Sequence, residues 1–168
     1  ERIVHRHRRA LVHVQQLRLP SHQGCPALAI ERSVCGKGET AATVILVHGL
    51  AQNRFSWNLS ERSFSAYLAS QGFEVLNLEL RGHGNSRLYG SKSPRAFSEY
   101  VDDLCRVVLA CEHSPFVIGH SLGAAVGVGA STRADLAGLI HLAGVYQFGR
   151  DNLFLNGTGR ATTRLKRP

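Results

Sequence analysis

The stretch Pro115-Phe116-Val117-Ile118-Gly119-His120-Ser121-Leu122-Gly123-Ala124-Ala125 constrains this chain more than any other. Four apolar residues lead into Gly-His-Ser-Leu-Gly, and small residues follow. That pattern reads as a short buried strand, a very tight turn with serine at its apex, and a helix. So sharp a turn strains the serine backbone, and Gly119 and Gly123 leave the strand and helix room to approach each other. The Ser121 hydroxyl would then stand at the C-terminal edge of a sheet, above a helix N-terminus. Free N–H groups and the helix dipole favour an anion there. The competing reading is a glycine-rich turn whose serine is merely an N-cap.

The remaining pattern supplies a sheet for that turn. Residues 10–19 read as a strand, Pro20 to Pro26 as a turn and 27–34 as a second strand, an opening antiparallel hairpin. Thr43-Val44-Ile45-Leu46-Val47 is a continuous apolar, β-branched run, the signature of a parallel strand buried on both faces. Helical spacing over 60–70 and again over about 94–112 alternates with apolar strands at 73–80 and 136–145. The expectation is an α/β fold: a mostly parallel sheet of about six strands with flanking helices, joined by right-handed crossovers. It divides into a basic N-terminal tail at 1–9, a domain at 10–149 and a basic, disordered tail at 150–168.

The formal charge of +8 suggests a nucleic-acid partner until it is located. Residues 1–18 and 150–168 each carry a net of +4, and 19–149 are neutral, so the excess reads as solvated ends and no nucleic-acid partner is expected. No apolar run is long enough to span a bilayer, and no secretory leader is visible, which points to the cytoplasm. Cys25, Cys35, Cys105 and Cys111 contain no C-x-x-C pair and read as free thiols, with Cys25–Cys35 pairing the alternative. No metal site and no cofactor are expected.

Three motifs end three successive parallel strands in one order: His48-Gly49-Leu50, Arg81-Gly82-His83-Gly84-Asn85-Ser86 and Gly119-His120-Ser121-Leu122-Gly123. Together they are far more specific than any one of them. The combination resembles the α/β-hydrolase superfamily, in particular its lysophospholipase, monoacylglycerol-lipase and serine-aminopeptidase-like group. Phe97-Ser98-Glu99-Tyr100-Val101-Asp102-Asp103-Leu104 is similar to that group's helix before the nucleophile strand. Glu79 departs from it, standing where the family more often has Asp.

The resemblance implies a hydrolase of small-molecule carboxylic esters. Ser121 would be the nucleophile, and the Leu50 and Leu122 N–H groups the oxyanion hole. His48, Gly49 and His120 would stand at the pocket rim, His48 also packing beneath the oxyanion loop. Asp151 is the candidate acid, and Asp135 falls at the wrong end of its strand.

A serine needs a base, and this fold takes it from a histidine late in the chain. His141, inside a strand, is the only histidine after Ser121, and His83 is a remote surrogate. The chain therefore reads as the N-terminal part of the fold, truncated after the sixth strand. Its last strand would leave an exposed edge able to pair with another chain. A non-catalytic binding module on the same fold is the alternative.

Overall fold

The computed structural model describes residues 2–7, 10–36, 40–59 and 62–144. The doubly buried character of the β-branched run sets the architecture. Thr43–Val47 (β4) sends Ile45 and Val47 into one apolar core and Val44 and Leu46 into another. The first core lies beneath Phe97–Leu109 (α3) and Leu122–Ser131 (α4), with Tyr100, Val101, Leu104, Val108 and Val126 packed on Leu78, Leu80 and Val117. The second lies beneath Phe64–Ser70 (α1), where Ala66 and Ala69 meet Val75, Ile118 and Trp57. Each face of the strand thus has its own helical cover, which a parallel sheet requires.

Ala10–Leu19 (β2) and Leu28–Cys35 (β3) form the expected hairpin, with Leu19 opposite Leu28. Arg2–His7 (β1) lies antiparallel to β2 on its outer side. Glu74–Glu79 (β7) is antiparallel to β3 and parallel to β4; Phe116–His120 (β8) and Gly138–Leu142 (β9) continue in parallel. Among the described residues these seven strands make one sheet, in the order β1-β2-β3-β7-β4-β8-β9. On its other side β9 has no strand among the described residues, and Ile140 and Leu142 are exposed.

Four boundaries differ from expectation. Residues 2–7, expected as part of a tail, are the edge strand β1. Ladder bonds are main-chain, so a basic segment can make them, and charged residues suit an edge. The helix expected over 60–70 begins only at Phe64. There the Ser63 hydroxyl accepts the Ala66 N–H at 2.9 Å, and Asn58–Leu59 (β5) pairs with Arg62–Ser63 (β6) just before it. Pro94 lies outside α3, whose entry is held instead by Glu99 accepting the Arg95 N–H at 2.6 Å. A short helix, Gly84–Leu88 (α2), occupies the loop after β7. The four cysteines are free thiols, including Cys25 and Cys35.

Among the described residues no helix is long and apolar enough to cross a membrane. The expected tail at 150–168 lies outside the described residues.

Candidate active site

The register of the parallel strands brings two loops to one edge. Val47 of β4 is opposite Gly119 of β8, so the chain leaves both strands side by side, one into His48-Gly49-Leu50 and the other into His120-Ser121-Leu122. Ser121 has φ +51° and ψ −113°, a left-handed conformation that a side chain rarely tolerates. The neighbours hold it there. The Ser121 N–H donates to Leu142 O at 2.8 Å, and its carbonyl accepts the Ala124 N–H at 3.1 Å. A Cβ on Gly119 would stand 2.6 Å from the Ala124 Cα; one on Gly123 would collide with Val47 O and lie 2.7 Å from His48 O. Both glycines are therefore needed for the close approach.

The reading of Ser121 as an N-cap fails. It occupies the cap position of α4, yet its hydroxyl makes no capping hydrogen bond and has no partner among the described residues. Ser121 is thus a half-buried serine in a strained turn whose hydroxyl does not cap the helix it precedes. The turn and cap hydrogen bonds of the described residues also leave the Leu50 and Leu122 N–H groups without an acceptor. The Leu50 side chain is exposed.

His48 does not reach a pocket rim. Its ring is fully buried, Nδ1–H donates to Gly49 O at 2.8 Å and Nε2 accepts the Leu80 N–H at 3.1 Å. Burial holds it neutral, its pKa lowered to about 4, with His83 adding to the effect from 5.0 Å between ring centroids. This imidazole supports the loop from beneath. His83 Nδ1–H donates to Arg81 O at 2.9 Å, and its ring is wedged between His48 and Tyr100. His120 stands 3.1 Å through Nδ1 from Gln52 Oε1. His141 lies opposite Gly119 on β9 and is exposed. Asp135 accepts the Ser114 hydroxyl at 2.6 Å ahead of β8, at the opposite edge of the sheet. Asp151 lies outside the described residues.

Four polar residues that sequence reasoning misses, or marks only as a departure, hold the loop after β4. Gln52 Oε1 accepts the Gly49 N–H at 2.9 Å. Arg54, in the 3-10 turn Arg54–Trp57, spans two buried carboxylates: Nη1 to Glu79 at 2.9 Å and Nε to Glu31 at 3.2 Å. Glu79 also accepts the Asn85 N–H at 2.7 Å, and Glu31 accepts from Asn58 at 2.9 Å and Gln16 at 2.8 Å. The extra methylene of Glu79 relative to Asp thus ends in a fully buried carboxylate bonded to Arg54 after β4 and to Asn85 after β7. That departure is the one visible signal, since contacts spanning 23–27 residues leave no local pattern.

Beneath α3, Arg81 and Asp103 form a buried bidentate pair, both bonds 2.7 Å. Asp103 holds the guanidinium above its ordinary pKa. Trp57 is buried and stacks on Phe64 at 5.8 Å.

The sequence matches the model of the Alpha/beta hydrolase family over residues 44–167, and the chain belongs to that family. It is 32% identical over 84 residues to Epoxide hydrolase B of Mycobacterium tuberculosis, a stretch covering 49% of this chain and 22% of that protein. It also superposes on a lipase in its open form with a TM-score of 0.62 and 23% identity, covering 76% of this chain and 43% of that one. A Vigna radiata epoxide hydrolase mutant gives a TM-score of 0.57 at 20% identity, over 76% of this chain and 38% of that one. A malate-bound thermophilic esterase from Thermogutta terrifontis gives 0.56 at 22%, over 76% and 44%. The structural likenesses show the fold. The chain spans about a fifth of the length of the curated relative it matches and less than half of each of these structures.

Proposed function

We propose that this chain carries the nucleophile and oxyanion donors of a serine hydrolase acting on carboxylic esters, of the lipase, esterase or lysophospholipase kind. The observation that carries the reading is the Ser121 backbone at φ +51°, held at the β8–α4 junction with its hydroxyl free of structural duty. Ser121 Oγ adds to the ester carbonyl carbon as its proton passes to a general base. The carbonyl oxygen becomes an oxyanion facing the Leu50 and Leu122 N–H groups. Collapse expels the alcohol, which takes up the proton, and the acyl-serine is left for water to cleave. The partner is a small-molecule ester rather than a nucleic acid, the middle of the chain being charge-neutral. Asp151 is the proposed acid.

Some relatives are named epoxide hydrolases, and the residue at the turn argues against that chemistry here. Opening an epoxide with a serine would leave an alkyl ether, which has no carbonyl for water to attack, so the enzyme would stall after one turnover. An acyl-serine does have one.

A second reading, a non-catalytic module on the same fold, draws support from one observation. The ring hydrogen bonds of His48, His83 and His120 go to Gly49 O, the Leu80 N–H, Arg81 O and Gln52 Oε1, none of them to Ser121 Oγ. Hydrolysis of p-nitrophenyl esters by the full-length gene product separates the two. Turnover that falls about 10⁴-fold or more in Ser121→Ala is expected. Turnover unaffected by that substitution overturns the nucleophile, and a folded protein that turns over no ester supports the binding module.

A further inference from the structure

We propose that Gln52 is the positioning residue of the oxyanion loop, its amide oxygen latching Gly49 to the Nδ1–H tautomer of His120. The inference rests on the reading of Ser121 and Leu50 given above. Two donors converge on one atom. The Gly49 N–H lies 2.9 Å from Gln52 Oε1, and His120 Nδ1 lies 3.1 Å from the same oxygen. A Cβ added to Gly49 would stand 2.8 Å from Gln52 Oε1 and 3.1 Å from His120 Nδ1, so a side chain there would push the two groups off their shared contact.

The chemistry of the donors then fixes every proton. A main-chain N–H can only donate, so the side-chain atom facing it is the amide oxygen and not the amide nitrogen. That oxygen has no hydrogen to give, so the His120 nitrogen beside it is the donor. His120 therefore carries a proton on Nδ1, the tautomer that leaves Nε2 as the acceptor.

The loop needs such a latch. The turn closed by the Gln52 N–H on Gly49 O at 3.3 Å contains Ala51 at φ +56°, a conformation that alanine does not favour. Leu50, whose N–H is the first oxyanion donor, lies inside that turn. His120 directly precedes Ser121, and Leu122, the second donor, directly follows it. Gln52 thus ties the strand end bearing one donor to the strand end bearing the nucleophile and the other. Arg54 anchors the chain just beyond through Glu31 and Glu79, independently of Gln52, so loss of the latch loosens the donor without unfolding the loop's far side.

Two measurements on the full-length gene product test this. In long-range ¹⁵N–¹H correlation spectra, His120 is expected to show a protonated Nδ1 and a bare Nε2, a signature lost in Gln52→Ala. In ester hydrolysis, Gln52→Ala is expected to lower kcat about 10- to 100-fold with KM changed less than about twofold. Gln52→Glu, which keeps an acceptor oxygen, is expected to restore kcat to within about threefold. Wild-type kcat in Gln52→Ala, alongside loss of activity in Ser121→Ala, overturns the latch and leaves the nucleophile standing. Full activity in Ser121→Ala overturns the nucleophile, and the spectrum then decides the latch alone: an Nε2–H tautomer of His120 refutes it.

Discussion

Acid should unfold this protein through His48, by an amount that follows from the structure. The ring is fully buried, with Nδ1–H committed to Gly49 O and Nε2 facing a main-chain donor, the Leu80 N–H. A proton placed on Nε2 would set two donors against each other. The folded-state pKa is accordingly lowered from 6.5 to about 4, chiefly by burial. A base whose folded pKa is depressed contributes stability that is fully present above its unfolded pKa and lost as the pH falls toward the folded one. Each pH unit between the folded and unfolded pKa values is worth about 1.4 kcal/mol. The full loss is then about 3 kcal/mol, of which about 2.5 kcal/mol has gone by pH ~4.5.

Carboxylates titrate in the same window, so the informative quantity is a difference between variants. Gln at position 48 offers a neutral donor and acceptor and cannot titrate. Urea unfolding of the wild type and of His48→Gln from about pH 7.5 to about pH 4.5 should show the wild type losing about 2.5 kcal/mol more than the variant, with a steepest extra slope of about 1.2 kcal/mol per pH unit. Parallel profiles would refute the neutral buried ring.

Three further substitutions probe the frame of the site. Gly123→Ala places a methyl against the Val47 and His48 carbonyls and should cost about 1–3 kcal/mol or more by chemical denaturation, with loss of whatever activity Ser121 supports. Asp103→Ala leaves the buried Arg81 guanidinium only its ion pair with Glu99 at 3.1 Å and should cost about 3 kcal/mol by the same assay, whereas replacing both Arg81 and Asp103 with apolar residues of similar volume should cost far less. Ser63→Ala removes the cap on the Ala66 N–H and should lower stability by about 1 kcal/mol, read as a shift in the urea midpoint.

The parts of the fold legible in the sequence are those governed by neighbours along the chain. The run Thr43–Val47 announces burial on both faces, and the structure sends its alternate residues into two cores. The turn at Ser121 is legible because a strained apex and two close approaches demand particular residues at fixed spacing, and the backbone at Ser121 obeys. β1 is hidden because its ladder is made by main-chain groups, which leave no mark on a run of Arg and His. The delayed start of α1 turns on a single hydroxyl at Ser63.

At the site, the motif residues are legible and their supports are not. Arg54, Glu31 and Glu79 meet only because β7 inserts between β3 and β4, and Gln52 reaches His120 only because β4 pairs with β8, an ordering that no local pattern encodes. His48 shows the limit from the other side. Its place in the motif is plain, but only the fold reveals that both ring nitrogens are consumed by the main chain.

The central claim, that Ser121 is a nucleophile, is tested most directly by reacting the full-length gene product with a fluorophosphonate and mapping the adduct by peptide mass spectrometry. The account predicts one adduct, on the peptide containing Ser121, and none in Ser121→Ala. An adduct on another residue, or equal incorporation in the alanine variant, would contradict it.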